Sequence, residues 1–358
     1  MDNYSVFFPG YSAGEDAYKE ITTVCSPYGK KAVVISDEIS INATKKYLDE
    51  AIAGTDFSIE YVLFPGESAF EYAEELQQQD VVKNADMIFC LGGGKAIDTG
   101  KLVAHNLKKP YFTFPTIAST CACNSALGIY YYPNHVFRTF FRVDRPPVHI
   151  FISTKVIAEA PASFLWAGIG DAMAKHVESS WSAKAGEKLS FGSEFGITAG
   201  QMCFYPMVKD AKKAMDDAKA GRNSEELENT ILNIVVSPGV VSVSVHPDYN
   251  GGIAHALFYG LTKREHIEKK HLHGEVVSYG TLVNLMVDKD WDKLKMAYGV
   301  NKSIDLPVCL ADLELEKDDK LEDVLEATMA NQEMTHTPYP VTKDMIYQAI
   351  HDLEDYKG

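Results

Sequence analysis

Across the first 150 residues, short apolar runs alternate with helix-like stretches. Residues 31–35 (KAVVI), 58–64 (SIEYVLF), 86–91 (DMIFCL) and 111–114 (YFTF) read as strands, with helical patterns over 42–52 and 68–79. Near-continuous apolar strands are those buried on both faces, and a β-α-β-α rhythm joins such strands in parallel. The pattern therefore predicts a parallel sheet covered on both sides by helices. The segment 130–152 is aromatic, contains Pro133, Pro146 and Pro147, and reads as a hairpin and a connection.

Beyond residue 153 the period changes. Helical patterns cover 162–182, 188–217, 224–246, 252–266, 274–287 and 342–354, with few strand signals between them. The expected organisation is an α/β half over 1–153 followed by an all-helical half over 154–358. A cleft between two such halves is the usual place for a small ligand.

Composition narrows the function classes. A chain of 358 residues suits two domains, and 46% hydrophobic with 23% charged residues supports a substantial core without disulfides or structural metal. The net charge of −16 would repel nucleic acid and an anionic membrane surface, so neither is expected as a partner. The N-terminal stretch lacks a basic, then apolar, leader pattern, and no run approaches the roughly eighteen apolar residues of a membrane span, so a cytoplasmic setting is expected. The six cysteines are scattered and expected as thiols; Cys121 and Cys123 have no second pair at zinc-finger spacing.

The strand over 86–91 runs into Gly92-Gly93-Gly94-Lys95 and then a helical pattern. Glycines let backbone N–H groups approach a pyrophosphate closely, the helix start adds partial positive charge, and Lys95 adds a cation. The run is neither G-x-G-x-x-G nor a Walker loop, and a glycine-rich turn without ligand has the same local pattern. Asp37 ends the first apolar strand, where a carboxylate can accept hydrogen bonds from both ribose hydroxyls; that would favour NAD over NADP. An Asp after a strand is equally a helix N-cap.

The runs GGGKAIDTGK (92–101), PTIASTCACNSALGIYY (115–131) and GIGDAMAKHVES (168–179) resemble, in order and in register, motifs of the iron-containing alcohol dehydrogenase superfamily, on its glycerol-dehydrogenase-like branch. The resemblance spans nearly the whole chain. It implies a dehydroquinate-synthase-like architecture: an α/β dinucleotide-binding domain over 1–153, then an all-helical metal-binding and catalytic domain over 154–358. It implies that Gly92, Gly93, Gly94 and Lys95 cradle the pyrophosphate, with Asp37 on the adenosine ribose. Asp98, Thr116, Ser119, Ser125, Leu127 and Tyr131 complete the cofactor set. Asp171, His255 and His273 would hold one divalent metal, Zn or Fe, and the chain would form a homo-oligomer.

The residues agree with that ligand set on their own chemistry. His255 lies in GGIAHALFYGL, where a histidine among small and apolar residues faces inward, and His273 precedes an apolar helix. A carboxylate and two imidazoles leave open positions for a substrate oxygen. Any one of these histidines could instead be an ordinary core or surface residue. His266 and His271 are placed outside the ligand set.

Three positions depart from the family. Cys121 stands where glycerol dehydrogenases carry a polyol-binding aspartate; a thiol is a poor acceptor, and its neutrality favours a carboxylate-bearing substrate. Lys175, one helical turn after Asp171, would pair with Asp171, reach a substrate carboxylate, or sit as a surface lysine. The T-C-A, G-D-x-x-A-K and L-H-G segments together resemble the hydroxycarboxylate dehydrogenases. Phe258 replaces a histidine of the proton relay, leaving water, a ribose hydroxyl, His271 or Tyr259 to move the proton. The expected activity is hydride transfer between nicotinamide and a small hydroxy compound, with a 2-hydroxy/2-oxo acid as favoured substrate and Cys121 and Lys175 as substrate-facing residues. The alternative is a glycerol or vicinal-diol dehydrogenase. More distant alternatives are a dehydroquinate-synthase-like lyase and a binding protein that kept the fold without turnover.

Overall fold

Six strands, four of them built from the apolar runs, form one parallel sheet in a computed structural model that describes residues 5–358. They are β1 (Gly10–Gly14), β2 (Lys31–Ser36), β3 (Ser58–Leu63), β4 (Met87–Gly92), β5 (Tyr111–Pro115) and β8 (His149–Ser153), in the order β1-β8-β5-β4-β2-β3. Strands β4 and β5 are buried at every residue and β2 at all but Lys31, whereas edge strands β1 and β3 are partly exposed. That difference explains which strands were legible as unbroken apolar runs. One face of the sheet carries an aromatic stack, with Phe114 4.8 Å from Phe151 and 4.7 Å from Phe89 between ring centres.

The chain first steps from β2 outward to β3, then returns to place β4 on the other side of β2. Strand order reverses there, and in parallel sheets ligands settle beyond the carboxyl ends of strands flanking such a reversal. Two helices leave from those ends: α1 (Glu38–Ile52) after β2 and α2 (Gly94–Leu107) after β4. The segment expected as a hairpin and connection holds the antiparallel pair β6 (Leu127–Tyr131) and β7 (Phe137–Arg142), but its end is β8, a full member of the main sheet. The edge strand β1 was likewise not anticipated.

The chain divides into two units, Met1–Ala160 and Pro161–Gly358. The first extends past residue 153 because the short helix Thr154–Glu159 follows β8 directly and stays with the sheet. Among the described residues the second unit contains helices and no strand. Three expected helices are broken: 188–217 into Phe191–Ala199, a 3-10 turn at Gly200–Cys203 and Tyr205–Lys219; 224–246 into Glu225–Val235 and Ser237–Ser244; and 252–266 into Ile253–Leu261 and the start of Glu265–Lys270. Pro206 and Pro238 sit in the first turn of the later pieces of the first two, where the missing N–H costs nothing, but neither could continue a preceding helix. The stretch Glu225–Ser244 is long and apolar enough to cross a membrane by composition, yet 61% of it is buried within the fold.

Three helices of this unit bear on function: α3 (Ala162–Ser182), α4 (Ile253–Leu261) and α5 (His273–Asp288). Helices α3 and α5 touch backbone to backbone. A Cβ on Gly274 would lie 1.9 Å from the Ala167 carbonyl oxygen, and one on Gly170 2.4 Å from that of Gly274. Only glycines permit this crossing, and it brings Asp171 and His273, each next to one of these glycines, side by side. Ala174, Ala254 and Val277 pack α3, α4 and α5 into one small apolar cluster, with Phe258 against it.

Candidate active site

Asp171, one residue beyond the glycine crossing, points its Oδ1 at both imidazoles. His273 Nε2 is 3.2 Å away and His255 Nε2 3.5 Å. Bonds of ~2.1 Å from one tetrahedral ion would separate ligand atoms by ~3.4 Å, so two edges of the donor triangle already have the spacing a divalent cation needs. All three donor atoms lie within 4.8 Å of one another. The sequence-expected ligands are thus brought together, and the donor set of one carboxylate and two imidazoles fits Zn²⁺ or Fe²⁺.

Glu178 completes the arrangement, and the sequence reading missed it. It lies two helical turns beyond Asp171 on α3, is fully buried, and takes both polar hydrogens of His255: Nδ1 at 2.6 Å and the backbone N at 2.9 Å. A carboxylate on Nδ1 fixes the tautomer with the Nε2 lone pair free for a metal and raises its basicity. The spacing 171, 175, 178 along one helix face was the available signal.

The charges follow from this geometry. Burial alone would raise the Asp171 carboxyl, but His255 and His273 outweigh it and hold it well below the usual carboxylate range. Burial would lower His255, yet Glu178 and Asp171 on either side lift it well above its ordinary value. Asp171, His255 and His273 would hold a divalent cation only after the proton between the two carboxylates is given up, so acid would oppose metal retention. His273 stands with its ring 4.3 Å from Phe258 between centres, and α5 is capped by Glu275, which accepts from Leu272 N at 2.9 Å. The other Glu275 oxygen holds His271 Nδ1 at 2.7 Å, and His266 Nε2 meets the Leu313 carbonyl at 3.3 Å, so both histidines lie outside the triad.

Lys175 makes no ion pair with Asp171. Its Nζ donates to the Asn250 carbonyl at 3.2 Å, tying α3 to the loop before α4. Pairing with Asp171, one of the roles expected for it, is therefore replaced by a main-chain contact.

In the sheet unit, the glycine turn and Asp37 converge at the carboxyl ends of β4 and β2. Gly92 has φ +127°, a conformation open to glycine, and a Cβ there would sit 3.2 Å from Asp37 Oδ2. Asp37 is the N-cap of α1, accepting from Ser40 N at 2.8 Å and Ser40 Oγ at 2.7 Å, and Thr116 Oγ1 lies 3.3 Å from the same Ser40 hydroxyl. Gly93 N-caps α2, so Gly94 and Lys95 occupy its first turn. The Lys95 ammonium turns onto Glu67 at 2.8 Å, over the Tyr131 ring.

Asp98 is placed elsewhere. It is buried, bound to Lys101 Nζ at 2.8 Å and to Ile129 N at 3.0 Å, and Lys101 reaches the Leu127 carbonyl at 2.6 Å and that of Ala122 at 3.1 Å. Ser125 Oγ also donates to the Leu127 carbonyl, at 2.9 Å. Asp98 and Lys101 thus fasten α2 to the hairpin, and Asp98 is corrected from a cofactor contact to a structural one. Cys121 begins the 3-10 turn Ala122–Asn124, and Ser119 is half-buried in the loop before it.

The model of the family described as iron-containing alcohol dehydrogenase matches residues 9–151. The glycerol dehydrogenase of Thermotoga maritima is 31% identical, covering 98% of this chain and 97% of its own. Hydroxycarboxylate dehydrogenase A of Escherichia coli strain K12 is 27% identical over 83% of each chain. The crystal structure of glycerol dehydrogenase from Schizosaccharomyces pombe superposes with a TM-score of 0.88 at 25% identity, covering 99% of this chain and 91% of that one. With the parallel sheet, the helical unit and the converging Asp171, His255 and His273 in place, the chain belongs to the iron-containing alcohol dehydrogenase family, on its glycerol-dehydrogenase-like branch, and is an oxidoreductase acting on alcohol groups.

Proposed function

We propose that this protein is a divalent-metal-dependent, NAD-linked dehydrogenase of glycerol or a related vicinal diol, working in the cytoplasm. The observation that carries the reading is the Asp171–His255–His273 triangle backed by Glu178. A divalent cation bound there supplies Lewis acidity, favouring the ionised alcohol in oxidation and the polarised carbonyl in reduction. Asp171 and the two Nε2 atoms would hold it, Glu178 keeps His255 in the ligating tautomer, and Phe258 packs against His273 in a T-shaped contact.

For the cofactor, Gly92, Gly93 and Gly94 offer a close backbone approach at the start of α2, and Asp37 beside them suits a ribose diol and disfavours a 2′-phosphate. Thr116, Ser119, Ser125, Leu127 and Tyr131 remain the candidates for the rest of the groove. The dinucleotide carries the hydride chemistry; the chain binds, orients and excludes water.

Two facts favour a neutral polyol over the 2-oxo acid expected from Cys121 and Lys175. The relative named glycerol dehydrogenase is more similar than the one named hydroxycarboxylate dehydrogenase, at 31% against 27% identity, and over more of the chain. Lys175, the cation meant to receive a substrate carboxylate, is engaged by the Asn250 carbonyl. The metal assignment is tested by reconstitution with Zn²⁺ or Fe²⁺ and elemental analysis: the native chain should retain about one ion after desalting and Asp171→Asn none. Turnover by fully metal-free protein would overturn the reading.

A further inference from the structure

Lys95, the cation at the mouth of the glycine turn, is already bound. Its Nζ lies 2.8 Å from Glu67 Oε2, and the same oxygen receives His135 Nδ1 at 2.8 Å, while Glu67 Oε1 takes Ser68 N at 3.0 Å. The exposures are unequal: the Glu67 side chain is 1% exposed, Lys95 51% and His135 73%. A buried anion thus holds the Lys95 ammonium and the His135 ring, both reaching it from the surface.

Hydrogen bonds fasten the segment around that anion. Ser68 Oγ donates to the Ile129 carbonyl at 2.7 Å, and Tyr131 N donates to the Ser68 carbonyl at 2.9 Å, stitching the Glu67 segment to β6. His135 sits in the turn between β6 and β7 at φ +69°, in the left-handed region, fixed by its N–H to the Tyr132 carbonyl at 2.9 Å. Burial would raise the Glu67 carboxyl, but Lys95, His135 and the Ser68 N–H together keep it below its usual value, so it stays an anion.

We propose that Glu67 is a positioning residue that competes with the cofactor pyrophosphate for Lys95, with His135 as the second arm that loosens its hold. The proposal rests on the dinucleotide reading above. A phosphate arriving at Gly93, Gly94 and Lys95 gains the backbone N–H groups at the start of α2 at once, but gains Lys95 only by drawing it from Glu67. When Lys95 leaves, His135 remains on the buried carboxylate, which is not left without a partner. Binding is thereby weaker than an unpaired lysine would make it, and release of the product nucleotide is easier.

The test is NADH affinity of the full-length, metal-loaded protein, read by nucleotide fluorescence, with circular dichroism and melting temperature checking the fold. Glu67→Gln, which keeps shape but removes charge, should tighten NADH about tenfold. His135→Ala should weaken it about twofold to threefold, by leaving Lys95 the sole side-chain partner of Glu67, and should have no effect in the Glu67→Gln or Lys95→Met background. Should Glu67→Gln fail to fold, His135→Ala compared with His135→Ala/Lys95→Met decides the matter alone. Weaker NADH binding by a folded Glu67→Gln protein, or an equal effect of His135→Ala with and without Lys95, overturns the competition while leaving the dinucleotide reading intact. No NADH binding by the native chain overturns both.

Discussion

Glu178 grips His255 at two points, the ring Nδ1 at 2.6 Å and the backbone N at 2.9 Å, so the carboxylate fixes both the rotation of the imidazole and the start of α4. Removing its charge should loosen the metal more than the fold. Glu178→Gln is expected to lower metal affinity by ~10-fold to ~100-fold, the usual range for outer-shell partners. Competition with a fluorescent chelator measures this directly, and unchanged affinity would remove Glu178 from the metal centre.

The Asp98–Lys101 pair should matter for stability. Lys101 is wholly buried and makes three hydrogen bonds, so Lys101→Met would strand the Asp98 carboxylate without its cation. Breaking a buried pair from one side costs ~3–5 kcal/mol. A large fall in the unfolding midpoint is expected. A midpoint within a degree or two of native would restore Asp98 as a candidate cofactor contact.

His176 supplies a pH dependence separate from the metal site. It is 4% exposed, neither ring nitrogen has a hydrogen-bond partner, and burial, with help from Lys293, pushes it down to about 4. An unfolded histidine titrates near ~6.5, so below that pH the unfolded chain binds a proton the folded chain refuses. This stability is fully present above ~6.5 and is lost as pH falls toward 4. His176→Phe, facing Phe204 and Tyr205, should abolish the loss. The native protein should weaken by ~2 kcal/mol more than the variant between pH 7.5 and pH 5 in urea unfolding. Parallel pH profiles would show that the ring accepts its proton without penalty.

Lys175 offers a test of substrate charge. With its ammonium on the Asn250 carbonyl, Lys175→Met should change KM for dihydroxyacetone and for 2-oxobutyrate by similar factors. A selective rise for the oxo acid, tenfold or more, would return Lys175 to substrate recognition and revive the carboxylate reading.

The sequence disclosed most where burial is two-sided. Strands β2, β4 and β5 are apolar because helices cover both faces, whereas β1 (GYSAG) is a small-residue edge strand and β8 (HIFIS) follows a proline-rich hairpin that masks it. The helices Trp291–Ile304 and Glu322–Ala330 were not read from the sequence. Asp171, His255 and His273 were legible through the family resemblance, with which a carboxylate and two imidazoles in small-residue, apolar surroundings agree. Glu178 and Glu67 were not, because a glutamate in a helix or a turn ordinarily faces water, and only the fold shows which anions it buries. Asp98 illustrates the converse error, a motif position assigned to ligand that the fold uses for an internal ion pair.

The most direct measurement is the initial rate of NAD⁺ reduction by metal-reconstituted protein with glycerol, set against 2-hydroxybutyrate at matched concentration, with Asp171→Asn as control. Glycerol is expected to be oxidised at least tenfold faster, with no rate in the Asp171→Asn protein. Faster oxidation of the hydroxy acid, or a glycerol rate that survives loss of Asp171, would contradict that expectation.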